Sequence, residues 1–198
     1  MALTGGIASG KSSVLRFLRD RMGSKIAVFD ADAEVRQLLT TDQIKSKLER
    51  SFGAEVFASE GEVDRSALRE LVFADAGKRK LLEEIIHPSV LLRCQEFGAN
   101  LEEREPAPVL AVYEIPLLYE SDFPVPRDAD LVVGASKAVQ VRRLTEYRGL
   151  DANMAEKIID AQMPMTEKMQ RADFVLWNDG AESELHEQIT LFLDAIGG

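Results

Sequence analysis

The sequence predicts an α/β fold built on a parallel sheet, and three observations carry that reading. Strand-like apolar runs are each followed by a loop and an amphipathic, helix-like stretch, the β-loop-α order of a parallel sheet. Gly5-Gly6-Ile7-Ala8-Ser9-Gly10-Lys11-Ser12 reads G-x-x-x-x-G-K-S between an apolar start and an amphipathic run, the setting of a phosphate-binding P-loop. Asp30 and Asp32 close the second apolar run, where an open parallel sheet places its ligands.

The loop comes first because its chemistry constrains its residues. Gly5 and Gly10 let backbone N–H groups approach an anion, and the helix that follows adds the positive end of its dipole. Lys11 is a point charge for terminal phosphates, and the Ser12 hydroxyl suits Mg²⁺. Val14, Phe17, Leu18 and Met22 mark the buried stripe of the helix. Only four residues precede Gly5, a very short strand for the centre of a sheet, as a start placed a few residues late would leave it.

Residues 25–29 read as the second strand, followed by a loop and a helix. Of Asp30 and Asp32, one serves as a helix N-cap and the other is spare for chemistry. Helical spacing is expected over 33–39 and 43–52, with Gly53 as a breaker and Gly61 in a turn. Asp64 caps a helix from Arg65 to about Phe73, another spans about 77–86, and His87-Pro88 opens a long one. Over sixty residues thus pass without a strand, between two halves of a sheet. Strands are expected over 109–113, 130–133 and 173–177, and a C-terminal helix carries Leu185, Ile189, Phe192, Leu193 and Ile196. Residues 137–171 read as helices holding seven bases against five acids, a local reversal in an acidic chain.

Composition narrows the function. The 198 residues suffice for one α/β domain with an appendage, and a hydrophobic content of 45% allows a sizeable core. A net charge of -10 argues against a nucleic acid or an anionic membrane as partner, so a polyanion such as ATP must meet a local basic cluster. A single cysteine excludes an internal disulfide and suits a reducing cytoplasm. No apolar run reaches the ~18 residues of a membrane span. The P-loop lies where a signal peptide would be.

Together the motifs resemble dephospho-CoA kinase over nearly the whole length. The matching pieces are residues 3–12, then Val28-Phe29-Asp30-Ala31-Asp32 with Arg36, then Phe52-Gly53, Gly61, Asp64-Arg65, Leu68 and Phe73. Ile86-His87-Pro88, Ile115-Pro116-Leu117-Leu118-Tyr119-Glu120, Arg143-Leu144 with Arg148-Gly149, and Ala161-Gln162-Met163-Pro164 follow. Lys168, Ala172-Asp173-Phe174-Val175, Asn178 and Gly180 complete the series.

The resemblance implies transfer of a phosphoryl group from ATP, with Mg²⁺, to the ribose 3′-hydroxyl of dephospho-CoA, giving CoA and ADP. It implies a P-loop nucleoside-triphosphate hydrolase fold of the nucleoside-monophosphate-kinase kind. This has a five-stranded parallel core over 1–40, 106–136 and 172–198, a helical CoA-binding insertion over about 41–105, and a helical lid over about 137–171. The implied ATP contacts are Gly5, Gly6, Ala8, Ser9, Gly10, Lys11, Ser12 and Ser13, with Asn178 and Gly180 on the adenine side. Asp32 is the implied base, Arg148 or Arg143 the lid arginine, and Arg65, His87, Leu117 and Glu120 lie around the acceptor.

Two positions depart from the family pattern. Ala8 stands where Gly is usual, which asks for a negative φ there, and Tyr147 stands where some members have Arg. A monomer or weak oligomer in the cytoplasm is expected. The alternatives are another small-molecule P-loop kinase, acting on a nucleoside monophosphate, shikimate or gluconate, and an ATP-dependent switch without an acceptor. The helical insertion and the Pro116–Glu120 stretch weigh against the first, and the lack of a docking tail against the second.

Overall fold

A computed structural model of the chain describes residues 1–121 and 123–197, apart from the side chains of Phe73 and Glu102. The chain divides into two compact units, Met1–Phe29 with Gly98–Gly198, and Asp30–Phe97.

The first unit carries the sheet. Among the described residues it has five strands: β1 (Ala2–Gly5), β2 (Ile26–Asp30), β3 (Leu110–Glu114), β4 (Asp130–Gly134) and β5 (Phe174–Trp177). Their order is β2-β3-β1-β4-β5, and the sheet is parallel. β1 lies at the centre, with Leu3 opposite Glu114 on one side and Leu131 on the other. Four residues suffice there because every one is buried and both edges of the strand are paired.

Helix α1 (Lys11–Met22) follows the loop after β1 and packs with α9 (Glu182–Ala195). Val14, Leu15 and Leu18 of α1 meet Leu3, Leu131, Val133, Ile189 and Phe192 in one core cluster. Each such aliphatic side chain contributes about 1.5–3 kcal/mol by leaving water. Gln188 of α9 closes the β5 edge, accepting from the Trp177 N–H and donating to its carbonyl, both at 2.8 Å. Between β4 and β5 lie α6 (Lys137–Arg148), α7 (Ala152–Asp160) and α8 (Met165–Arg171), the last packed on β4.

The second unit is helical: α2 (Ala31–Leu38), α3 (Asp42–Phe52), α4 (Arg65–Ala74) and most of α5 (Ala76–Glu102). Its extended pairing is an isolated bridge between Phe57 and Val63. Asp64 caps α4 as expected, accepting from Ser66 N and Ala67 N. Gly53 ends α3 with φ 77°.

Two local expectations are corrected. No loop separates β2 from α2: Asp30 ends the strand and caps the helix, its Oδ1 accepting from Ala33 N at 2.8 Å. Residues 77–86 and the stretch from His87 are not two helices. They form one, with Pro88 in its interior. Pro88 removes one backbone donor and is exposed, while Ile85, Ile86, Val90 and Cys94 are buried to either side of it. Burial of that stripe outweighs a single broken i→i−4 bond, so tertiary packing carries the helix through its breaker. Among the described residues no helix is long and apolar enough to cross a membrane.

Candidate active site

The loop between β1 and α1 is shaped to hold an anion. Helix α1 starts at Lys11 with no side-chain cap and no carboxylate in its first turn, so its positive end is not neutralised locally. Among the described residues, the N–H groups of Ala8, Gly10 and Ser12 have no protein acceptor. Lys11 Nζ donates to Gly5 O at 3.2 Å and Gly6 O at 3.3 Å, which folds the ammonium over the loop. Gly10 is left-handed at φ 104°, and a Cβ there would lie 2.0 Å from Asn178 Nδ2. Glycine is required at that position by both conformation and space.

Ala8 corrects the expectation of a negative φ. It adopts φ 56°, the left-handed region, where a Cβ costs on the order of 1 kcal/mol. The surroundings hold it there. Arg143 Nη1 donates to Ala8 O at 3.1 Å and Ser9 O at 3.2 Å, and Asn178 Nδ2 donates to Ser9 O at 2.7 Å. On the other side of Ala8, the Ile7 carbonyl accepts from Gln140 Nε2 at 2.6 Å and the Ile7 N–H donates to Gln162 Oε1 at 2.8 Å.

Arg143 and Asn178 also join each other, through Arg143 Nη2 and Asn178 O at 2.8 Å. Burial lowers the Arg143 pKa and neighbouring Arg142 adds to this, while Asp179 opposes it; a guanidinium remains charged regardless. Ser9 is wholly buried, and its peptide N–H donates to Gly6 O at 3.2 Å.

The family model described as dephospho-CoA kinase matches residues 1–184. The dephospho-CoA kinase of Anaeromyxobacter dehalogenans is 42% identical over 186 residues, which cover 93% of this chain and 86% of the relative. The chain belongs to the dephospho-CoA kinase family.

The crystal structure of a Thermus thermophilus protein superposes with a TM-score of 0.83 at 34% identity, covering 100% of this chain and 97% of that one. Dephospho-CoA kinase from Campylobacter jejuni, at 24% identity and a TM-score of 0.67, covers 98% of this chain and 95% of its own and shares the fold. The family phosphorylates dephospho-CoA with ATP in the last step of CoA biosynthesis.

The structure brings Gly5, Gly6, Ala8, Ser9, Gly10, Lys11, Ser12 and Ser13 into one loop and helix start, with Arg143 and Asn178 against it. Ser12 is exposed in the first turn of α1. Arg148 is exposed at the last residue of α6, beside Tyr147, which is 79% exposed. Gly180 is exposed just before α9, and a Cβ there would strike the Glu184 carboxylate.

Of the residues assigned to the acceptor, Leu117 is 45% exposed. Glu120 Oε1 accepts from Met163 N at 3.0 Å. In the helical unit, Asp32 is exposed in the first turn of α2, where Asp30 already supplies the cap. Arg65 opens α4 and is exposed, and His87 lies half-buried inside α5. The side chain of Phe73, one of the family-matching positions, lies outside the described residues.

Sequence reasoning missed what holds the loop. Gln140 carried no signal, and Gln162 entered only within the family-matching Ala161–Pro164 stretch with no role attached, because neither is charged and neither belongs to the phosphate motif. They line a cavity of about 420 Å³ together with Gly6, Met163, Met165 and Trp177.

Proposed function

We propose that this chain transfers the γ-phosphoryl group of ATP to the ribose 3′-hydroxyl of dephospho-CoA. The observation that carries this is the loop itself: its carbonyls at Ile7, Ala8 and Ser9 are engaged by side chains outside it, and the N–H groups of Ala8, Gly10 and Ser12, which have no protein acceptor among the described residues, suit phosphate oxygens.

The residues divide into roles by their chemistry. Gly5, Gly6, Ala8, Ser9, Gly10 and Ser13 present the loop backbone, and Lys11 neutralises the terminal phosphates. Asp32 accepts the proton of the attacking hydroxyl, a role that Asp30 does not share because its Oδ1 caps α2. Arg148 meets the charge that develops on the transferring group, its exposure at a helix end leaving it free to reach a bound ligand. Arg143, Asn178 and Gly180 flank the nucleotide. Arg65, His87, Leu117 and Glu120 border the acceptor, within a helical CoA-binding segment of about 41–105 and the stretch after β3. Residues 137–171 act as a lid that excludes water as a competing acceptor.

Ser12 fits Mg²⁺: an exposed hydroxyl in the turn where phosphates gather suits an ion held by one side chain and its substrate. Bound there, Mg²⁺ would neutralise charge on the phosphates of ATP. The protein works as a monomer or weak oligomer in the cytoplasm, without nucleic acid.

The test is ADP formation with and without dephospho-CoA, with the product checked for a new 3′-phosphate. ADP release that dephospho-CoA does not stimulate sinks the reading in favour of a slow ATPase switch. Stimulation by shikimate or a nucleoside monophosphate instead moves the acceptor assignment.

A further inference from the structure

We propose that Gln140 and Gln162 are positioning residues that hold the tip of the phosphate loop from both sides of Ile7 and thereby aim the Ala8 N–H at the transferring phosphate. Gln140 lies on α6 and is 3% exposed, and Gln162 follows α7. One carboxamide donates to the Ile7 carbonyl at 2.6 Å, and the other accepts from the Ile7 N–H at 2.8 Å. Because both partners are backbone atoms of known polarity, each amide fits in one orientation only.

The consequence follows from peptide geometry. A trans peptide is planar, with its C=O and N–H pointing in opposite directions. Pulling the Ile7 carbonyl toward Gln140 therefore turns the Ala8 N–H the other way, and that N–H has no protein acceptor among the described residues. The same bond helps keep Ala8 at its left-handed φ of 56°. Arg143 and Asn178 hold the next two carbonyls, so Gln140 completes a row of three; of the two peptides they hold, the Ser9 N–H donates to Gly6 O at 3.2 Å and the Gly10 N–H has no protein acceptor among the described residues.

Gly6 supports the assignment independently. The P-loop pattern leaves its second position open. In this chain a Cβ on Gly6 would lie 2.4 Å from Gln140 Nε2. Glycine is needed there to admit the Gln140 side chain. Both glutamines come from the segment between β4 and β5, so that segment is tied by hydrogen bonds to the loop whose phosphates it covers.

The proposal rests on the phosphate-transfer reading, and turnover by the wild-type protein tests that reading separately. The variants are Gln140→Leu, Gln140→Glu, Gln162→Leu and Gln162→Glu, each measured for kcat, KM for ATP and melting temperature. Gln140→Leu is expected to lose about tenfold in kcat/KM, the scale of one hydrogen bond lost from an organised site.

The two carboxylate variants separate positioning from simple support. In Gln140→Glu the ionised side chain cannot donate to the Ile7 carbonyl, but the protonated one does. The activity of that variant relative to wild type should therefore rise several-fold as pH falls from 8 to 6, whereas that of Gln140→Leu stays flat. Gln162→Glu keeps an acceptor for the Ile7 N–H, so its kcat should exceed that of Gln162→Leu even if added charge raises KM for ATP. If Gln140→Leu fails to fold, the half-buried Gln162 pair carries the test alone. Wild-type kcat in every variant that folds, or a Gln140→Glu profile parallel to that of wild type, overturns the proposal.

Discussion

Glu120 Oε1 stands 2.6 Å from Nζ of Lys168, a side chain with no solvent exposure at all. The two form an ion pair between a buried ammonium and a carboxylate that keeps 20% exposure. Lys168 lies on α8, which packs on β4. Removing one partner from a buried pair leaves a charge without compensation, the costlier of the two ways to break it.

Glu120→Gln should therefore destabilise the fold by about 3 kcal/mol, the low end for such pairs because the Glu side chain keeps 20% exposure. Lys168→Met should cost less, since the Glu120 left behind can turn to water. Urea unfolding of both variants checks the order. An unchanged midpoint for Glu120→Gln contradicts the structural weight of the pair, whereas a raised KM for dephospho-CoA beside the lost stability agrees with Glu120 at the acceptor.

Ala8 and Gly10 respond in opposite directions. Ala8→Gly removes a Cβ from a left-handed site, and nucleotide affinity should be kept while stability gains up to about 1 kcal/mol. Gly10→Ala drives a Cβ into Asn178 at φ 104°, and should abolish measurable ADP binding. Calorimetric titration with ADP distinguishes them. Tight binding by Gly10→Ala is incompatible with the loop geometry described above.

Arg143 and Arg148 should separate in kind. Arg143→Ala frees the carbonyls of Ala8 and Asn178 and leaves that of Ser9 to Asn178 Nδ2 alone, so it should lower both melting temperature and ADP affinity. Arg148→Ala touches no contact of the folded chain among the described residues, and should leave the melting temperature unchanged while kcat falls about 10³-fold. Asp32→Asn should lower kcat with nucleotide binding kept. Near-full activity in that variant would remove Asp32 as the base.

Cys94 gives a pH signature in the helical unit. Burial pushes its thiol up to about 12 from 9.0, with the Glu34 carboxylate adding to the shift. The folded state then holds its proton where the unfolded chain loses it. Between about pH 9 and 12 the folded state binds more protons, so this contribution to stability is full below pH 9 and lost as pH rises toward 12. Iodoacetamide should leave the folded protein unlabelled at pH 8 and modify it in urea. Rapid labelling of the folded chain at pH 8 contradicts the burial.

The legible part of this protein was local. The glycine loop, its lysine and the apolar stripes declare themselves because 3.6- and 2-residue periods and φ-permissive residues act over a few positions. The cap at Asp64 was equally plain, since a short carboxylate at a helix start satisfies N–H groups two or three residues on, whereas which of Asp30 and Asp32 caps α2 was left to the structure. Even the four-residue β1 could be read as a strand, from the loop that follows it.

Tertiary structure decided the rest. Nothing near Pro88 says that α5 runs through it, because the burial that offsets the lost bond comes from residues brought together by folding. The left-handed Ala8 is imposed by Arg143 and, through Ile7, by Gln140, more than a hundred residues away. Asn178, expected near a base, spends its amide on Ser9. A pattern along the chain records which groups a residue can offer, but the partner each group finds is set by which strands lie side by side.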